Sequence, residues 1–171
     1  MAARSRSFAP SAVHSHVGAV SPAWVEARLS LATVRVLDVR AEVPRDPDES
    51  GPRLRVMRSG PASAYVRGHL PGAVALDVRA QLFDAAGEVV SAPELALAMS
   101  RLGVGDGHTV VLVDDGRREA ALAAAWALAR YGHRAVHILE GGFSRWVAEG
   151  RAVSRELPRI APASFTARVP S

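Results

Sequence analysis

The chain contains no cysteine among its 171 residues. That excludes disulfides, thiolate metal ligands and every thiol nucleophile, and it leaves the redox compartment undecided. Lysine and asparagine are also missing, so all 21 basic side chains are arginines. Beside abundant Ala, Arg, Gly and Val, those gaps read as a coding bias, not a functional choice. No stretch approaches about eighteen uninterrupted apolar residues, so no membrane span is expected. Residues 1–20 are small, basic and broken by Pro10, without the compact apolar segment of a secretory signal. A disordered or loosely packed tail over 1–20 and a cytoplasmic location are the resulting expectations. His14 and His16 are too few for a metal site. No internal repeat is visible.

What is present fits one domain with a sizeable core. Hydrophobic residues make up 49% and charged residues 22%, the balance of a soluble globular protein. The net charge of +4 is spread from Arg4 to Arg168 and mixed with Asp and Glu. A nucleic-acid binder concentrates such charge in a patch, so no nucleic-acid partner is expected.

Ser21-Pro22 opens a short amphipathic helix through Leu29, with Ser as cap and Pro at the first helical position. Val34 to Val39 reads as a buried strand ending near Asp38 and Arg40. From Ala41 to Ala62 four prolines and mixed charge predict a long surface loop, with one brief strand around Leu54 to Met57. A helical turn at Ala64 to Val66, a tight turn over Gly68 to Gly72 and a strand at Ala73 to Leu76 follow. Ser91 and Glu94 have capping-box spacing before a helix striped by Leu95, Met99 and Leu102. Thr109 to Val113 is the clearest central strand. Asp114 to Glu119 is a polar loop, and Ala120 to Tyr131 is an Ala-rich helix stopped by Gly132. A strand at Val136 to Leu139, the Gly141-Gly142 turn and a short helix with Phe143 and Trp146 complete the pattern. Strands alternating with helices predict an α/β fold, a parallel sheet flanked by helices on both faces. The segment after Gly150 is irregular, expected to lie against the domain or to act as a linker.

In open parallel sheets, ligands bind beyond the carboxyl ends of the strands. Three segments qualify: Asp38 with Arg40, the Asp77-Val78-Arg79 region, and above all Asp114 to Glu119. This last loop leads into a helix N-terminus, so its amides can form an anion cradle. Asp114 reads first as a cap that fills the cradle from within, and second as half of a carboxylate pair with Asp115. Arg117 and Arg118 either help hold an anion over Gly116 or lie in solvent. Asp38 and Arg40 point the same way from one strand end, as a structural ion pair or as a ligand clamp. His69 is expected to fix backbone carbonyls, with acid–base chemistry as its alternative. His133 caps carbonyls after Gly132. Trp126 and Trp146 belong to the core. No serine occupies a strand-to-helix elbow, so a Ser-His-Asp triad has no support.

Leu37-Asp38-Val39-Arg40, Tyr65 through Val74 with its GHLPGA core, Val110 through Gly116, Trp126 to His133, and Leu139 through Trp146 (LEGGFSRW) together resemble the rhodanese-like, or thiosulfate sulfurtransferase, family. The resemblance covers roughly residues 20 to 151. It implies a five-stranded parallel sheet and, in active members, a cysteine directly after the central strand, at the position of Asp114. That thiol takes sulfur from thiosulfate or mercaptopyruvate as a persulfide and passes it to a thiophilic acceptor. A carboxylate forms no stable persulfide, and its charge repels thiosulfate. The resemblance is to the amino-terminal, non-catalytic domain of tandem sulfurtransferases, with a tail over 1–20, the domain over 21–151, and a C-terminal tail or interdomain linker over 152–171. In this setting Asp38, His69, Gly72, His133, Gly141, Gly142 and Trp146 are structural, and Asp115, Gly116, Arg117, Arg118 and Arg40 are the ligand candidates. No catalytic residue, cofactor or metal is expected. The expected role is a non-catalytic structural, regulatory, anion-binding or protein-binding module. The alternative is the inactive half of a sulfurtransferase whose cysteine-bearing rhodanese domain is on another chain or lost.

Overall fold

The computed structural model describes residues 17–40 and 63–170. Five parallel strands form one sheet in the order β1-β5-β4-β2-β3. The strands are β1 (Gly18–Val20), β2 (Val34–Asp38), β3 (Val74–Ala75), β4 (Thr109–Val113) and β5 (Val136–Leu139). Helices α1 (Pro22–Glu26), α2 (Ser63–Arg67), α3 (Val78–Leu82), α4 (Ala92–Arg101), α5 (Glu119–Arg130) and α6 (Gly142–Ala148) connect and cover them.

Side-chain alternation along the central strand builds the two halves of the core. Val110 and Leu112 of β4 face a cluster with Leu82, Leu95, Met99 and Leu128, supplied by α3, α4 and α5. Val111 and Val113 face the opposite cluster, where Val25, Tyr65 and Trp146 come from α1, α2 and α6. The helices start where local chemistry satisfies their free amides. The Ser21 hydroxyl accepts from the Trp24 amide at 3.1 Å, and Glu94 closes the capping box onto Ser91. No helix among the described residues is long and apolar enough to cross a membrane.

The structure departs from the expectations at the amino end of the domain. Gly18–Val20, inside the stretch expected as a tail, pairs with His137–Leu139 as an edge strand. Residues 1–16 and the brief strand expected around Leu54 to Met57 lie outside the described residues. The Asp77-Val78-Arg79 segment leaves the end of β3 and enters α3, where the Asp77 carboxylate caps the helix by accepting from the Ala80 amide at 3.0 Å. The segment after Gly150 lies along the domain as an extended strap. Ser154 and His69 exchange backbone bonds at 2.8 and 2.9 Å. Further on, Asp106 accepts from the Thr166 amide and hydroxyl at 2.8 and 2.7 Å, and Phe165 is buried in the core.

Candidate functional site

The mouth of the sheet is set by where β4 ends. Asp114 follows Val113 directly and is 2% exposed. Its Oδ1 accepts from the Gly116 amide at 2.8 Å, while Oδ2 is buried without a hydrogen-bond partner. Burial pushes the Asp114 carboxyl above the ordinary carboxylate range; the Gly116 amide opposes that shift. The neighbouring Asp115 charge adds to the rise, and the Arg118 amide and guanidinium counter it.

The loop is shaped by backbone as much as by side chains. Gly116 and Arg118 both have positive φ, +97° and +67°. The Phe143 amide donates to the Asp114 carbonyl at 2.9 Å, tying the start of α6 to the loop. A Cβ on Gly142 would stand 2.6 Å from both the Asp114 carbonyl oxygen and the Gly116 nitrogen, so only glycine fits there. Gly141 is constrained differently: its φ is +76° and a Cβ would meet the Arg145 side chain at 2.5 Å.

Beside Asp114 lies a small cavity of about 50 Å³, with Gly116 and Arg118 on one side and Ala19, Ile138 and Glu140 on the other. Of the five ligand candidates, Gly116 and Arg118 line it. Asp115 turns away to accept from the Arg117 amide at 3.0 Å, and the Arg117 guanidinium sits 3.5 Å from the same carboxylate with its side chain 74% exposed. Arg40 is engaged elsewhere. It donates from its backbone amide, Nε and Nη2 to Asp38 at 2.7–3.1 Å and from Nη2 to the Gly68 carbonyl at 2.6 Å. Its guanidinium also lies 3.8 Å from the centre of the Phe143 ring. Asp38 and Arg40 thus form an ion pair with each other.

The positions read as structural are spread through the domain, His133 at the opposite end of the sheet beside Phe165. His69 is fully buried, stacked on Tyr65, with Nδ1 2.9 Å from the Tyr65 carbonyl and Nε2 2.7 Å from that of Glu156. It thereby joins α2 to the C-terminal strap. Gly72 takes φ +78° in the following turn. The His133 amide closes α5 by donating to Leu128, and its ring packs against Phe165 with Nε2 unpartnered. Burial lowers the His133 pKa. The Trp146 indole donates to the Ala152 carbonyl at 2.8 Å. Four lining residues, Ala19, Ile138, Leu139 and Glu140, were not among the candidates from the sequence. Glu140 follows β5 directly and the strand-end rule points to it, whereas Ala19 sits on an edge strand with no pattern of its own.

The rhodanese-like domain profile matches residues 21–149. The chain belongs to the rhodanese-like family. It is 31% identical over 147 residues to the sulfur carrier protein TtuD of Thermus thermophilus, covering 85% of this chain and 45% of that protein. It is 30% identical over 148 residues to a thiosulfate sulfurtransferase of Corynebacterium glutamicum, covering 85% and 42%. Among solved structures, the 3-mercaptopyruvate sulfurtransferase SseA of Escherichia coli matches with a TM-score of 0.73 at 25% identity, over 90% of this chain and 56% of that one. The chain thus spans about half the length of the relatives it matches, and it is homologous to single domains of tandem sulfurtransferases. It is a rhodanese-like domain with no cysteine, which is consistent with a non-catalytic variant of the fold.

Proposed function

We propose that this rhodanese-like domain is a non-catalytic structural or regulatory module whose anion cradle is occupied by its own carboxylate. The observation that carries this reading is Asp114 Oδ1 on the Gly116 amide at 2.8 Å, at the mouth of the central strand. A neighbouring amide, that of Arg117, is likewise taken by Asp115. An incoming oxyanion meets two fixed negative charges and finds those donors already used. A persulfide has no atom on which to form, because an oxygen acid replaces the polarisable nucleophile that sulfur transfer requires.

The test is a thiosulfate:cyanide assay on the purified chain, with calorimetric titration of thiosulfate alongside it. Neither turnover above a heat-killed control nor saturable binding is expected. Asp114→Cys is expected to restore little turnover, since Asp115 remains beside the new thiolate. Sulfane sulfur detected by mass on the unaltered chain would overturn the reading.

A second reading is favoured by the match to about half of each relative. Here the module is the inactive half of a sulfurtransferase and works beside a cysteine-bearing rhodanese-like domain. Copurification with such a domain, and turnover that depends on both, is the expected result. A genomic neighbourhood that encodes no such domain would count against it.

A further inference from the structure

One side chain ties the C-terminal strap to α2. His69 is fully buried, and each of its ring nitrogens faces a backbone carbonyl. Nδ1 stands 2.9 Å from the carbonyl oxygen of Tyr65 in α2, and Nε2 stands 2.7 Å from that of Glu156 in the strap. A carbonyl oxygen only accepts, so each contact is a hydrogen bond only when that nitrogen carries a proton. A neutral imidazole has one N–H. Whichever nitrogen kept it, the other would turn its lone pair onto a carbonyl oxygen in a site closed to solvent.

We infer that His69 is a proton-dependent clasp: as an imidazolium it bridges α2 and the strap, and loss of either ring proton opens the bridge at one end. The surroundings suit a cation on the ring. Tyr65 stacks on it with ring centres 4.0 Å apart and 12° between the planes, so a π face covers one side. The Tyr65 hydroxyl donates to the Ala73 carbonyl at 2.6 Å, and burial, with the Asp38 charge second, raises its pKa, so the phenol stays neutral. At the end of β2, Asp38 and Arg40 neutralise one another, and Arg40 Nη2 donates to the Gly68 carbonyl. Arg67 on α2 and Arg155 and Glu156 on the strap are exposed, and Arg155 Nε donates to the Arg67 carbonyl at 3.2 Å. The neighbouring ties of the strap carry no titrating group: two backbone bonds between His69 and Ser154, and the Trp146 indole on the Ala152 carbonyl. Docking of the strap takes up the second ring proton, so acid keeps the clasp closed and rising pH opens it.

The experiment is an NMR titration of the whole chain, labelled with ¹³C and ¹⁵N, from about pH 5 to about pH 10. Both ring nitrogens of His69 are expected to carry protons at neutral pH. As pH rises, one proton should leave, and the carbonyl ¹³C of Tyr65 or of Glu156 should shift in the same titration. A Glu156 shift shows the bridge opening at the strap, and a Tyr65 shift shows it opening at the helix. In His69→Gln the side chain can donate to one of the two carbonyls at a time. Hydrogen-exchange protection of the Ser154 amide is expected to fall about tenfold or more in that variant, the loss of one charge-assisted hydrogen bond, while that of Leu112 in the central strand holds. If His69→Gln does not fold, the titration of the parent decides. A single protonated ring nitrogen at neutral pH, or a proton loss that moves neither carbonyl, overturns the inference. So does a ring that keeps both protons to about pH 10, or unchanged Ser154 protection in the variant.

Discussion

Asp38 and Asp114 stand at the carboxyl ends of neighbouring strands, one residue apart in register, and the fold treats them in opposite ways. Asp38 ends β2, Asp114 follows β4, and each is 2% exposed. Both oxygens of Asp38 are held by Arg40, whose guanidinium is itself buried, with 8% of its side chain exposed. Asp114 has the Gly116 amide on Oδ1 and no hydrogen bond on Oδ2, with the Arg118 amide and guanidinium as its other favourable neighbours. Burial alone therefore does not make a carboxylate structural. A buried carboxylate held by a buried guanidinium ties two parts of the fold together, whereas one left short of partners carries the cost of its own desolvation.

The largest effect separating the two should come from Asp38→Ala. It strands the Arg40 guanidinium in a buried site, and the expected loss is about 3–5 kcal/mol in chemical denaturation. A loss no greater than that of an exposed ion pair would show that Arg40 finds water instead. Gly142→Ala is expected to cost about 2–4 kcal/mol, because a methyl must push apart the Asp114 carbonyl and the Gly116 amide at a positive φ. The amide resonances of residues 114–118 should shift with it. Unchanged loop resonances would contradict the tight approach.

Two smaller effects depend on pH. The folded pKa of His133 is lowered below its ordinary value near 6.5, so the unfolded chain binds that proton more readily. Stability should then fall as pH drops below about 6.5, by at most about 1.4 kcal/mol per pH unit. His133→Gln should flatten that limb of the curve, and an unaltered slope would assign the acid sensitivity elsewhere. Asp114 runs the other way. Its folded pKa is raised, so its favourable contribution is complete below the unfolded value near 3.8 and is lost as pH rises through the folded value. Asp114→Asn should gain about 1 kcal/mol at neutral pH and lose that advantage toward acid. Equal stability of parent and variant across the whole range would remove the contrast with Asp38.

The parts of the fold legible in the sequence are those whose signal is local. Val34–Asp38, Thr109–Val113 and Val136–Leu139 are apolar and rich in β-branched residues, as strands buried on both faces must be. Gly18–Val20 carries no such signal, since an edge strand of three residues beginning with glycine is defined by its partner β5. The helix Val78–Leu82 is too short to show a period, and its one marker is Asp77 at the N-cap. At the site, Asp114 and Gly116 followed from the strand-end rule. The sequence could not separate Arg118, which lines the cavity, from Arg117, which is solvated, because adjacent loop residues diverge by backbone torsion. The closeness of Gly142 to that loop joins residues 26 or more positions apart, and spacing along the chain cannot express it.

The bond from the Phe143 amide to the Asp114 carbonyl uses no side chain at either end. That tie between α6 and the loop is consequently independent of which side chain stands there. A carboxylate, an amide or a thiol can be exchanged at that one position while the surrounding peptide planes keep their places, so the fold can lose or change its chemistry without being rebuilt.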